Sequence, residues 1–164
     1  MKSATILMFI YISVAILSSA FKKAENNKPS YPEGYRNWTH IKSMVITSKD
    51  SASEHSRGYH HIYANAKAME GYKTGKFPEG SVIVADFIDI IEKDGLIIEG
   101  KRKFIDVMEK NSTTFKQSDG WGYEEFNADS RTESLLSEKN PASNCHSCHS
   151  SQKQSDYVFS KYRN

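Results

Sequence analysis

Cysteine is scarce in this chain of 164 residues, with only Cys145 and Cys148 present. A framework of several disulfides is excluded by that count, and so is a zinc site built from four thiolates. Runs of one charge are missing too: 22 Lys and Arg stand against 20 Asp and Glu, a formal charge of +2. Without a basic stripe or an acidic tail, no nucleic-acid partner is expected. The segment after His149 lacks both Met and His, which limits where a second metal-binding side chain can come from.

The length suits one domain with a single core. The first twenty residues stand apart from it. Lys2, the apolar stretch from Ala4 to Leu17 and the small residues ending at Ala20 follow the order of a secretory signal peptide at 1–20. An uncleaved membrane anchor through residues 4–20 is the competing reading, because the apolar run approaches the ~17 residues a spanning helix needs. Either way the chain is exported, and a periplasmic location is expected. Residues 21–30, polar and lysine-rich, read as a flexible tether, and 31–164 as the folded domain.

Both cysteines fall in "SNCHSCHSSQK". Four chemistries compete for such a pair. A disulfide between residues three apart makes a poor staple. A thioredoxin-type dithiol needs a strand leading into the pair, and none is expected here. Zinc would require Cys145, His146, Cys148 and His149 to wrap one ion from a single short turn. Cys-x-x-Cys-His instead fits one covalently attached haem c. The two thiols reach the two vinyl groups of one edge, and His149 follows as the iron's proximal ligand. His146, at the variable middle position, is given no ligand role.

A sixth iron ligand from the protein would have to lie upstream. Met44, Met69, Met108, His40, His55, His60 and His61 are the candidates. Met69 falls on an apolar stripe with Ala66 and Tyr72 at helical spacing, which favours packing over ligation. Met44 and Met108 read as interior strand residues, and Trp38, Trp121 and Tyr123 as packing aromatics.

Strand signals dominate the rest. Residues 36–47, 58–64 and 81–92 carry β-branched and aromatic residues with partial alternation. "KDG" at Lys93–Gly95 is a hairpin turn leading into "LIIEGKRKFIDVM", and "GWGYEEFN" supplies another short strand. Helices are expected at 65–73, near 132–138, and through the Cys-x-x-Cys-His segment toward "SDYVFSKY". The predicted fold class is α+β: mainly antiparallel β-sheet, with a few helices against one side and a C-terminal haem-binding helix.

The succession "YPEGYRNW", "HHIYAN", "EGYKTGKFPEGSVIV", "DVMEK", "GWGYEEF", "CHSCH" and "DYVFSKY" resembles the cytochrome P-460 family, from about Tyr31 to Arg163. That resemblance implies an exported mono-haem protein, mostly antiparallel β, typically a homodimer. It also implies an open five-coordinate iron that oxidises hydroxylamine, or, in the related cytochromes c′-beta, binds nitric oxide and carbon monoxide. The chain departs from the pattern at the lysine that cross-links the haem in the hydroxylamine-oxidising members. Its place falls at Ala85, and no lysine occurs between Lys76 and Lys93. Small-ligand binding is therefore expected ahead of efficient hydroxylamine oxidation.

By the same resemblance, Asp106 corresponds to a carboxylate that accepts a proton from bound substrate, and His60, or His61 after a one-residue slip, to a basic pocket residue. A plain surface carboxylate and a half-buried strand histidine are the alternatives. Alternation sends His60 and His61 to opposite faces, so only one of them can look into a pocket. Ala85 and Phe87, on one strand face, would set the room at the sixth position. The expected partners are a small gaseous or N-oxide ligand and a soluble redox protein. A closed six-coordinate electron-transfer cytochrome c is the alternative function.

Overall fold

The computed structural model describes residues 27–47, 54–139 and 141–163. The signal or anchor segment at 1–20 and most of the 21–30 tether lie outside the described residues.

Five strands form one antiparallel sheet in sequence order: β1 (Thr39–Ile46), β2 (Gly58–Ala64), β3 (Val82–Lys93), β4 (Leu96–Lys110) and β5 (Trp121–Asn127). Helix α1 (Ala66–Thr74) connects β2 to β3, and α2 (Ala142–His149) carries both cysteines. The architecture is thus an α+β fold with helices packed on the sheet, as the strand signals predict.

Local chemistry sets the boundaries. Asn65 caps α1 by accepting the Ala68 N–H at 2.8 Å, and Gly75 ends the helix in the left-handed region. Gly71 lets the helix approach closely, since a Cβ there would lie 2.3 Å from the Phe77 ring. Asp94 and Gly95 both take positive φ (53° and 77°), which two-residue hairpin turns of type I′ require.

The sheet is covered on both faces. On one face, Ile62, Ala64, Ile83, Met108, Trp121 and Tyr123 pack with α1 and the C-terminal Tyr157 and Val158. On the other, Tyr35, Val84, Ile105, Val107 and Phe126 form a second cluster. That second face also buries Asp86. Its carboxyl accepts from Tyr35 Oη at 2.6 Å, from Arg102 Nε and Nη2 at 2.7 and 3.1 Å, and from Arg36 Nη1 at 3.2 Å. The cluster ties the segment before β1 to the back of β3 and β4.

Five expectations need correction. Residues 36–38 are not strand: a 3-10 turn at Tyr35–Asn37 follows left-handed Gly34 and delivers Tyr35 and Arg36 to Asp86. No helix forms near 132–138. Ser134 instead bridges Phe126, and Leu135 N–H donates to Glu125 O at 2.8 Å, so this segment covers the open edge of β5. The Ser130 and Ser134 hydroxyls accept from Glu133 and Leu136 N–H, which competes with helix formation. After α2 the helix tightens to 3-10 over Ser150–Ser155 and stops at Asp156 and Tyr157, both of positive φ, so "DYVFSKY" is not helical. Met44 is exposed and not interior. The stripe on α1 is also shifted: Ala68 and Gly71 are buried, Met69 and Tyr72 pack beside them, and Ala66 is exposed.

The Asp86 cluster yields a stability prediction. Asp86→Ala leaves the largely buried Arg102 without its bidentate partner and should lower the unfolding free energy by about 3–5 kcal/mol. Arg36→Ala, at a half-exposed side chain, should cost below about 1 kcal/mol. Urea denaturation of the two variants checks the contrast.

Candidate functional site

A cavity of about 330 Å³ lies between the sheet and the C-terminal segment. Alternation along three paired strands builds its floor. His60 pairs with Phe87, Ile62 with Ala85, and Ile83 with Met108, while Ala85 also pairs with Asp106. Because side chains alternate, these residues share one face, and His60, Ile62, Ile83, Ala85, Phe87, Asp106 and Met108 all line the cavity. The opposite wall is His149, at the end of α2, with Val158, Phe159 and Ser160.

His149 is held in one orientation. Its Nδ1 donates to the Tyr157 carbonyl oxygen at 2.7 Å, and burial lowers its pKa, so the ring is a neutral imidazole with its lone pair on Nε2. The consecutive left-handed residues Asp156 and Tyr157 turn that carbonyl toward the ring. Asp156 in turn accepts the Phe77 N–H at 2.8 Å and meets Lys110 Nζ at 3.3 Å, which ties the turn to the sheet. Such a second hydrogen bond fixes the tautomer of a metal-binding histidine.

The thiols are free, Cys145 one turn before His149 and Cys148 directly before it on the same helix. Cys145 packs against the front core, and burial, with Asp106 and Glu125 nearby, pushes its thiol up to about 11. A thiol so held is a weak redox nucleophile at neutral pH. His146 points elsewhere: its Nε2 lies 3.2 Å from Asp119 Oδ2 and its ring stacks on Tyr157. A groove of about 490 Å³ on that side of α2 is lined by His146, Trp121 and Glu124 but by neither cysteine nor His149.

The other residues singled out from the sequence can now be located. His60 lines the cavity, its ring against Phe87 with centroids 3.9 Å apart. Its Nε2 donates to Ser56 O at 2.6 Å, and burial lowers its pKa, so it is a neutral, engaged side chain and a weak proton acceptor. His61 faces the other way, to Ser43 and Glu99. Met108 lies in the front core. Asp106 lies at the cavity beside Glu125, its register partner on β5. Burial first, then the neighbouring Glu125, raises its pKa well above the ordinary carboxyl range. Glu125, Tyr157 and Asp156 were not singled out from the sequence. "YEEF" offers two adjacent glutamates with nothing to show that one turns inward, and the Tyr157 contribution is a backbone carbonyl.

The donor set suits one kind of group. Two thiols and an oriented neutral imidazole on one helix, with His149 lining a mostly apolar cavity and Cys145 packed against the core beside it, fit a planar metallo-cofactor clasped from one side, with His149 Nε2 as the atom that would hold iron and Cys145 and Cys148 as the attachment points. Fold and site together suit a sheet-based haem protein. Residues 32–160 match the Cytochrome P460 family, and the chain belongs to that family. Membership implies a haem cofactor. No curated protein matches the chain.

Asp106 sets a pH prediction. A carboxyl whose folded pKa is raised holds its proton in the folded state over a range where the unfolded chain has lost it, so it lowers stability as pH rises from about 4. Asp106→Asn removes that penalty. The variant should melt at a higher temperature than the parent at pH 7–8, with the gain vanishing near pH 4, as followed by circular dichroism.

Proposed function

We propose that this protein is an exported, mono-haem c-type cytochrome whose iron keeps an open sixth position and binds small ligands such as nitric oxide or carbon monoxide, with redox processing of hydroxylamine as a secondary capacity. One observation carries the reading: Ile62, Ile83, Ala85 and Phe87, which line the cavity with His149, carry no ligating atom. Of the possible ligands, His60 has its Nε2 committed to Ser56, Met108 is packed in the core, and Met44, which lines the cavity with Lys42, is exposed. Bound haem would supply an iron that polarises a small ligand and exchanges single electrons.

The chain's own residues divide the remaining work. His149 is oriented by Tyr157 and presents Nε2. Ala85 leaves room over the centre of the floor, and Phe87, stacked on Phe104 with centroids 4.2 Å apart, narrows one side. Asp106 holds or accepts a proton at its carboxyl oxygen next to a bound ligand. No lysine stands at or near Ala85 on β3, so the covalent lysine link expected of efficient hydroxylamine oxidisers has no source on this strand.

The partners in this reading are a soluble one-electron carrier and a second copy of the chain. Support for the second copy comes from the β3–β4 hairpin, whose end leaves Ile91, Leu96, Ile97 and Ile98 exposed beyond the core. Leu96→Lys with Ile98→Lys should turn a dimer into a monomer in sedimentation equilibrium, with the absorption spectrum unchanged.

The central test is the absorption spectrum of the reduced, haem-loaded protein before and after carbon monoxide. An open site gives a high-spin spectrum that shifts on carbon monoxide addition. An unchanged spectrum means a closed six-coordinate iron and replaces this reading with an electron-transfer cytochrome. Ala85→Phe should weaken binding in a graded ligand series, most for the largest members, by tenfold or more.

A further inference from the structure

Three titratable side chains lead out of the cavity in a line. Asp106 borders the cavity. Its register partner Glu125 on β5 is buried beside it. Glu125 Oε1 lies 3.2 Å from Nε2 of His55, whose side chain is 59% exposed. His55 is not merely passing: its ring lies flat on Phe104, centroids 4.2 Å apart at an interplanar angle of 6°, which fixes Nε2 toward Glu125. The other charged or titratable groups around Glu125 are Glu124, next along β5 and paired with Lys28, and the Cys145 thiol on α2.

We propose that Asp106, Glu125 and His55 form a proton conduit between the cavity and solvent, with Glu125 and His55 acting as positioning and relay residues behind Asp106. The proposal rests on the reading of the cavity as the haem site. A proton left on Asp106 by a bound ligand passes to the Glu125 carboxyl, then to His55 Nε2, then to water. Each step moves one proton and no electron; the electron released with it leaves separately to an external one-electron acceptor protein.

Two features suit the pair to this role. Asp106 and Glu125 face each other as a register pair on β4 and β5, and burial raises the pKa of both, with His55 pulling that of Glu125 back down. The exit is also narrow: Phe104 and Phe87 stack side by side behind His55, so the carboxyl pair is the polar route through an otherwise aromatic wall. An apolar floor with no such route would trap the proton on Asp106 after one turnover.

The experiment uses the full haem-loaded chain and the variants His55→Phe, which keeps an aromatic ring on Phe104, and Glu125→Gln. Flash photoreduction of the iron with a pH-indicator dye reports the rate of proton exchange with solvent. Infrared spectroscopy in the protonated-carboxyl region reports the titration of the pair. Expected results are exchange slowed by tenfold or more in both variants, with melting temperature of His55→Phe and the visible spectrum unchanged. In the infrared, the Glu125 band should titrate at higher pH in His55→Phe, and the Asp106 band at lower pH in Glu125→Gln. Wild-type exchange rates in both variants, or carboxyl bands that do not move, overturn the conduit. A pyridine haemochrome assay is run first. If no covalent haem is present, the functional reading fails by itself, and the infrared shifts still decide whether the three groups are coupled.

Discussion

The hydrogen bond from His149 Nδ1 to the Tyr157 carbonyl, 2.7 Å long, is the contact on which the site depends. Without it the imidazole could rotate about its side-chain bonds, and nothing would select Nε2 as the nitrogen that looks into the cavity. The bond exists because the chain reverses at Asp156 and Tyr157 through two left-handed residues that are not glycine, a conformation that needs support from elsewhere. Asp156 gives that support by gripping Phe77 N–H and Lys110. A histidine on the last turn of a short helix is thereby referenced to the rigid sheet, and the distance between His149 and the floor residues is set by the fold and not by a loop.

The floor obeys a second constraint, the two-residue period of the strands. Ala85 and Asp86 are neighbours in sequence and occupy opposite faces. Ala85 opens space in front, and Asp86 anchors the N-terminal segment behind through Tyr35 and Arg102. The same period separates His60 from His61 and sends only the first to the cavity. Because each face of the sheet is covered, a one-residue slip in register would bury Asp86 in front and expose the apolar floor behind, so packing on both faces holds the register of the site.

Much of this was legible beforehand. The strand at 58–64, the hairpin turn at Asp94–Gly95 and the caps of α1 were readable because local chemistry decides them. Cys145, Cys148 and His149 stand out as candidates because the motif sets them within five residues. What stayed hidden depends on partners distant in sequence. The serines near 130–134 look helical by composition of their neighbours, but the open edge of β5 draws Leu135 into pairing with Glu125. Residues 36–38 look extended, yet Asp86, about fifty residues later, draws Tyr35 and Arg36 into a turn. Glu125 carries no local mark at all, since its inward orientation follows only from its register with Asp106.

Two aspartates of β3 and β4, Asp86 and Asp106, show how one sheet separates structural from chemical roles. Asp86 and Asp106 lie on adjacent strands, Asp106 beside Ala85 in register. Asp86 meets two arginines and a tyrosine hydroxyl, so its lone pairs are filled and its position is fixed. Asp106 meets another carboxyl and a cavity, and it forms no ion pair among the described residues. Burial of a carboxyl next to a second one is costly for the charged form, and a fold gains nothing in stability from keeping it there. Its retention at the floor of the cavity is explained if the proton it holds is used, and the line through Glu125 to His55 provides the place for that proton to go.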